Sequence, residues 1–241
     1  MPRQLGRKAA AGEVAAGLLP LVDYFRLADT FERLDRFGVA VRGRAHSVLL
    51  FSRLPIRQLD GATILVTEET STTAVLLRLL LEHKYHVAPK AYERVGPSST
   101  GPRAGARPGT SQQEAGDALL LIGDEALQFK QTNTQYPFEI DLAFEWWLWQ
   151  HTPFVFAVWA VRKDVPAPEK KHLELSLIKA LAMNTQRLEE IAQRASASLG
   201  LPSAELQAYL ANFIYRLSHP EEEGITRFKE LVDEFHLLRI D

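Results

Sequence analysis

Residues 64–85 read I-L-V-T-E-E-T-S-T-T-A-V-L-L-R-L-L-L-E-H-K-Y. The first four are β-favouring and apolar, and the segment from Thr70 onward repeats apolar residues at Ala74, Leu77, Leu80 and Leu81, the spacing of one helix face. A short strand running directly into an amphipathic helix is half of a strand–helix–strand unit. The same alternation extends in both directions. Downstream, A-L-L-L-I (118–122) is a continuous apolar run that suits a strand buried on both faces, and G-D-E-A-L-Q-F-K after it opens a helix. F-E-I-D-L (138–142) and P-F-V-F-A-V-W-A-V (153–161) are strands with a Trp-rich helix between them. Upstream, S-V-L-L-F-S (47–52), G-V-A-V-R (38–42) and E-V-A-A-G-L-L (13–19) are strands, the last following a helix rich in Ala, Lys and Arg. Such alternation predicts an α/β fold with parallel or mixed sheets. Beyond Lys163 the pattern turns wholly helical, with helices near 167–183, 185–198, 203–213 and 221–236. Pro166 and Pro168 open this segment, and Gly200-Leu201-Pro202 and His219-Pro220 punctuate it.

The 241 residues carry 28 Lys and Arg against 30 Asp and Glu, a net charge of −2, so no basic footprint for nucleic acid is present. Cysteine is absent, which excludes disulfides, thiolate zinc sites, iron–sulfur clusters and cysteine nucleophiles. No apolar run reaches the roughly 18 residues of a membrane span. Arg3, Arg7 and Lys8 precede A-A-A-G-E-V-A-A-G-L-L-P-L-V, but Glu13 and two glycines interrupt that run, which reads as folded structure and not as an export signal. The chain is therefore read as cytoplasmic. Residues 96–109 (G-P-S-S-T-G-P-R-A-G-A-R-P-G) hold no large apolar side chain and read as a flexible surface insertion. Arg103 and Arg107 within it are read as solvated.

Three places carry candidate chemistry. Thr70, Ser71, Thr72 and Thr73 stand between a strand and a helix, where unpaired backbone N–H groups and the helix dipole favour an anion. One hydroxyl suffices for a helix cap; four exceed that need. Ser47 begins a strand after the turn Gly43-Arg44-Ala45-His46. His46 does not make a catalytic pair with it, because neighbours in a strand point to opposite faces. Gly123 and Asp124 follow the 118–122 strand, at the strand end where open α/β sheets bind ligands, although Asp124 also suits a helix N-cap. The aromatic residues Phe144, Trp146, Trp147, Trp149, Phe154, Phe156 and Trp159 read as packing before they read as a ring pocket. His83 and His86 are three apart on a helix without a third ligand, so no metal site is predicted. Dinucleotide, P-loop and nucleophile-elbow motifs are all missing.

At these motifs the chain resembles the chorismate dehydratases of the futalosine route to menaquinone, a family related to periplasmic solute-binding proteins. The resemblance rests on G-E-V-A-A-G-L-L-P-L-V-D-Y-F (12–25), H-S-V-L-L-F-S (46–52), T-S-T-T-A-V-L-L-R-L-L-L (70–81), L-I-G-D-E-A-L (121–127) and P-F-V-F-A-V-W-A (153–160). It implies a two-lobed, type II periplasmic-binding-protein-like fold with a helical C-terminal segment and a ligand cleft. One lobe would comprise 1–51 and 157–241, the other 52–156, with crossings near 50–54 and 153–158. It also implies a lyase that removes water from chorismate to give 3-[(1-carboxyvinyl)oxy]benzoate, with no cofactor and no metal. Ser47 matches the family's active-site serine, and Thr70, Ser71, Thr72, Thr73, Gly123 and Asp124 would bind the substrate. The substrate's own carboxylate would then be the base. The family opens with a strand and turn of the form S-Y-L-N or F-L-N whose Asn belongs to the site. The resemblance therefore implies that this first strand-turn is missing here. The expected partner is a small molecule, with neither nucleic acid nor membrane; the sequence is silent on oligomeric state. Three other readings stay open: the naphthoate-forming sister enzyme, a non-catalytic small-carboxylate binding protein, and an inactive N-terminally truncated homologue.

Overall fold

A computed structural model describes residues 2–67, 71–95 and 116–239. The chain divides into two compact units, one of 1–42 with 152–241 and one of 43–151. These breaks precede the positions 51/52 and 156/157 read from the sequence, both of which lie inside hydrogen-bonded strands.

The first unit contains α1 (Pro2–Ala10), β1 (Ala16–Pro20), α2 (Leu21–Arg26) and β2 (Phe31–Val41) from the start of the chain. Its later part is β8 (Phe154–Arg162), α6 (Ala167–Thr185), α7 (Leu188–Leu199), α8 (Ser203–Ala211), β9 (Phe213–Arg216) and α9 (His219–Glu234). The strands form one antiparallel sheet in the order β1-β8-β2-β9. Two sequence expectations change here. The strand read at 13–19 begins only at Ala16, because the N–H of Glu13 still donates to Lys8 O at 2.9 Å and Gly12 turns at φ +75°, closing α1 first. The C-terminal third is not wholly helical: the residues after α8 pair with β2, Ala40 opposite Ile214 and Val41 opposite Phe213. Four residues with no alternating pattern leave too little periodicity to separate a strand from a helix end.

Burial on β8 organises this unit. Leu19, Phe31, Ala160 and Ala9 form a cluster covered by Leu5, Val14, Tyr24 and Leu27. On α9, Phe228 meets Phe154 edge-to-face at 5.1 Å and Phe25 at 6.2 Å. Beside it the Arg33 guanidinium donates from both terminal nitrogens to Glu222, at 2.5 and 2.6 Å, joining β2 to α9. Arg33 thereby holds the Glu222 carboxyl below the ordinary glutamate value of 4.5. A carboxylate depressed in the folded state stabilises above its unfolded pKa, and that contribution is lost as pH falls through the folded value. Glu222→Gln is therefore expected to lower stability by about 1 kcal/mol at pH 7, a modest figure because the pair is partly solvated. The difference from wild type should shrink as the pH falls below 4.5; paired thermal melts across that range check it.

The second unit contains β3 (Val48–Ser52), β4 (Thr63–Thr67), α3 (Thr72–Arg78), β5 (Ala91–Val95), β6 (Ala118–Ile122), α4 (Gly123–Thr132), β7 (Phe138–Asp141) and α5 (Leu142–Gln150). Its mixed sheet has the order β5-β4-β6-β3-β7, with β4 parallel to β5 and β6, and β3 antiparallel to β6 and β7. As its composition suggests, β6 is buried along nearly its whole length. The edge strand β5, A-Y-E-R-V, has no buried residue and so gave no apolar signal to read. The helix expected over 70–85 is α-helical through Arg78 and then widens into a π-type turn over Leu79–Lys84, where the Tyr85 N–H reaches back to Leu80 O at 2.9 Å. The wider turn accommodates three consecutive fully buried leucines, Leu79, Leu80 and Leu81. Lys84 at its end donates to Glu145 on α5, at 2.5 Å to the carboxylate and 2.7 Å to the carbonyl.

Candidate active site

The register of the second sheet brings most of the sequence-predicted residues to one end. Val48 pairs with Ile122, so Ser47 lies immediately opposite the start of α4, and the Gly123 N–H donates to Ser47 O at 2.7 Å. Since β4 runs parallel to β6, with Val66 beside Leu120, Thr67 reaches the same end. Ser71 and the first turn of α3 follow it in the chain.

Ser47 is 2% exposed, whereas His46 is exposed and turns at φ +64°. The two neighbours thus face different surroundings. What fixes the turn before Ser47 is a residue that sequence reasoning passed over as the end of a strand. Asp141, 4% exposed, accepts from the His46 N–H at 2.8 Å through one carboxylate oxygen. Through the other it accepts from the N–H groups of Ala143 and Phe144, each at 3.1 Å, capping α5. One buried carboxylate therefore ties the 43–47 turn to a helix start. Arg44 adds a second tie, its guanidinium lying 4.1 Å from the centroid of the Phe144 ring. The signal for Asp141 was present in D-L-A-F, an N-cap residue entering an apolar helix.

Ser71, Thr72 and Thr73 are all buried. Ser71 occupies the N-cap position of α3 without making a side-chain cap, and its hydroxyl has no hydrogen-bond partner. Capping therefore does not account for it. Thr70 and the 96–109 insertion lie outside the described residues. Asp124 is exposed in the first turn of α4 and is not its cap: Ile122 holds that position with extended backbone. The helix leaves the strand directly because Gly123 takes φ +59°, a conformation that other residues adopt only with strain.

The aromatic residues are divided between the two units. Trp146 is fully buried in the second unit, edge-on to Trp149 at 6.3 Å. Phe154 and Phe156 pack together in the first, at 4.9 Å. A groove of about 480 Å³ along β1 and α6, lined by residues such as Ala16, Val161, Pro168 and Leu173, includes none of the predicted site residues. Among the described residues no three His, Asp or Glu side chains gather as a metal site, and no helix is long and apolar enough to cross a membrane.

A gathering of buried hydroxyls and a glycine-led helix start at one sheet end suits recognition of an anionic small molecule. The family model for menaquinone biosynthesis matches residues 1–234. The chain belongs to the menaquinone biosynthesis family. A chorismate dehydratase from Thermus thermophilus is 34% identical over 245 residues, covering 95% of this chain and 84% of the relative. Among solved structures, a protein from Archaeoglobus fulgidus superimposes with a TM-score of 0.76 at 20% identity, over 98% of this chain and 85% of that one. The alkanesulfonate-binding protein from Xanthomonas axonopodis pv. citri, bound to MOPS, gives 0.66 at 15% identity, over 99% and 80%. At such identities the structures show the fold alone, and this member of the menaquinone biosynthesis family has that of the periplasmic substrate-binding proteins.

Proposed function

We propose that this chain is a chorismate dehydratase, removing water from chorismate to give 3-[(1-carboxyvinyl)oxy]benzoate in menaquinone biosynthesis. The observation that carries the reading is the 34% identity to the Thermus thermophilus dehydratase, sustained over 95% of the chain. The chemistry of the second unit supports it. In the reaction one ring C–H and one C–O bond break, the C–H electron pair enters the ring as hydroxide leaves, and the proton and hydroxyl depart as water. The ring becomes aromatic, so the protein's main task is to bind and orient the substrate.

In this reading Ser47 orients the ring for proton removal, and the substrate's own carboxylate accepts the proton. The hydroxyls of Thr70, Ser71, Thr72 and Thr73 hold a carboxylate. Gly123 and Asp124 border the same place. The enzyme acts on a small molecule in the cytoplasm, with neither nucleic acid nor membrane as partner.

Incubating the purified chain with chorismate is expected to produce new aromatic absorbance in proportion to enzyme added. Unchanged chorismate would overturn the reading. Thermal stabilisation by chorismate without product would make the chain a small-carboxylate binding protein instead.

A further inference from the structure

Among the described residues of the second unit, two buried hydroxyls have no hydrogen-bond partner, those of Thr67 and Ser71. Ser71 was legible as a site residue, but Thr67 was not: it reads as the last residue of an apolar strand. It is 0% exposed, so its hydroxyl is shed of water as well as of protein partners. Leaving such a group unsatisfied costs about 1–3 kcal/mol, and valine has nearly the same shape without the cost.

The position of Thr67 gives the hydroxyl a use. Side chains alternate along a strand, so Thr67 shares the face of β4 that carries Leu65. That face packs with Leu49, Phe51, Leu119, Leu121 and, from α4, Ala126. By the same alternation Ser47 lies on this face of the sheet, in line with Leu49 and Phe51. Thr67 and Ser47 therefore end the same layer, one on each side of β6, where Gly123 begins α4. Thr67 is level with Leu121 and Leu49, and Ser47 stands two residues further along, opposite Gly123. Two strand spacings and two residues of rise put the two positions about 12 Å apart. With about 2.7 Å taken up by each hydrogen bond, the acceptors of one ligand would stand about 6 Å apart, the span across a ring. A six-membered ring carrying a carboxylate and a second oxygen group has that reach. Hydrogen bonds from hydroxyls to a carboxylate are also about twice as strong as those between neutral groups.

We propose that Thr67 is a substrate-contacting residue, its hydroxyl donating to a carboxylate of the ligand across β6 from Ser47. The assignment of chorismate as that ligand rests on the function proposed above.

The test compares Thr67→Val and Thr67→Ser in the full chain, by thermal melts and by chorismate kinetics. Because the free hydroxyl is unsatisfied, Thr67→Val is expected to melt at or about 2 °C above wild type without ligand. Its KM for chorismate should rise about tenfold, the loss of one charge-assisted hydrogen bond. Thr67→Ser, which keeps the hydroxyl, should restore most of the affinity. A structural role gives the opposite first result, a lower melting temperature without ligand, and that outcome overturns the assignment. So does a valine variant with the wild-type kcat/KM. If the wild type leaves chorismate unchanged, the reaction fails on its own. Thr67 is then judged by the thermal shift that chorismate induces: its presence in wild type and loss in Thr67→Val supports the contact. Retention of the shift in the variant, or its absence from wild type, refutes it.

Discussion

Replacing Ser47 by alanine is expected to cut chorismate turnover more than tenfold, while the melting temperature moves by about 3 °C at most. The asymmetry follows from where Ser47 sits. Its backbone is held on both sides: its carbonyl accepts from Gly123, and the preceding residue is anchored on Asp141. Alanine keeps both of those bonds and removes only the side-chain oxygen. An orienting group that is lost from a pre-formed site costs rate far more than fold, because misplacing a reacting bond by even a fraction of an ångström leaves the near-attack geometry. Turnover equal to wild type, measured by chromatography of the product, would remove Ser47 from the reaction.

Asp141 should show the opposite balance. Asp141→Ala removes the acceptor of three backbone N–H groups, those of His46, Ala143 and Phe144. Losing a helix cap costs about 1 kcal/mol, and stranding a further buried donor about 1–3 more. A total of about 3 kcal/mol is a large share of the stability of a typical domain. Asp141→Asn separates the two jobs. Its carbonyl oxygen can still cap α5, while its amide nitrogen meets the His46 N–H as donor against donor. The expected result is a protein that folds with a smaller loss, about 1 kcal/mol, yet turns over chorismate several-fold more slowly because the turn before Ser47 is released. A fall in kcat/KM no larger than the loss of folded protein in both variants would reduce Asp141 to a helix cap. Equal melting temperatures with a lower kcat/KM in Asp141→Asn would show positioning most cleanly.

Much of this was written in local pattern. β3, β4 and β6 announced themselves because their residues are apolar and buried on both faces, and the hydroxyl run at 70–73 because four such residues exceed a cap. What the sequence withheld depends on neighbours distant along the chain. β9 becomes a strand because β2 offers it a partner, and β5 because β4 does, although neither shows apolar periodicity. Asp124 and Asp141 look alike as acidic residues after strands, yet only Asp141 caps a helix. The difference lies in Gly123, whose positive φ lets α4 begin before Asp124, which therefore falls in the first turn and not at the cap. Thr67 was invisible for another reason. An unsatisfied hydroxyl is defined by the partners around it, and no spacing in the sequence reports their absence.

Dehydratase activity is tested by mass spectrometry with proton NMR on chorismate after incubation with the purified chain. The expected result is a single product one water lighter than chorismate, with its enolpyruvyl group retained on a ring that has become aromatic. Chorismate recovered unchanged, or a product that has lost pyruvate in place of water, would contradict it.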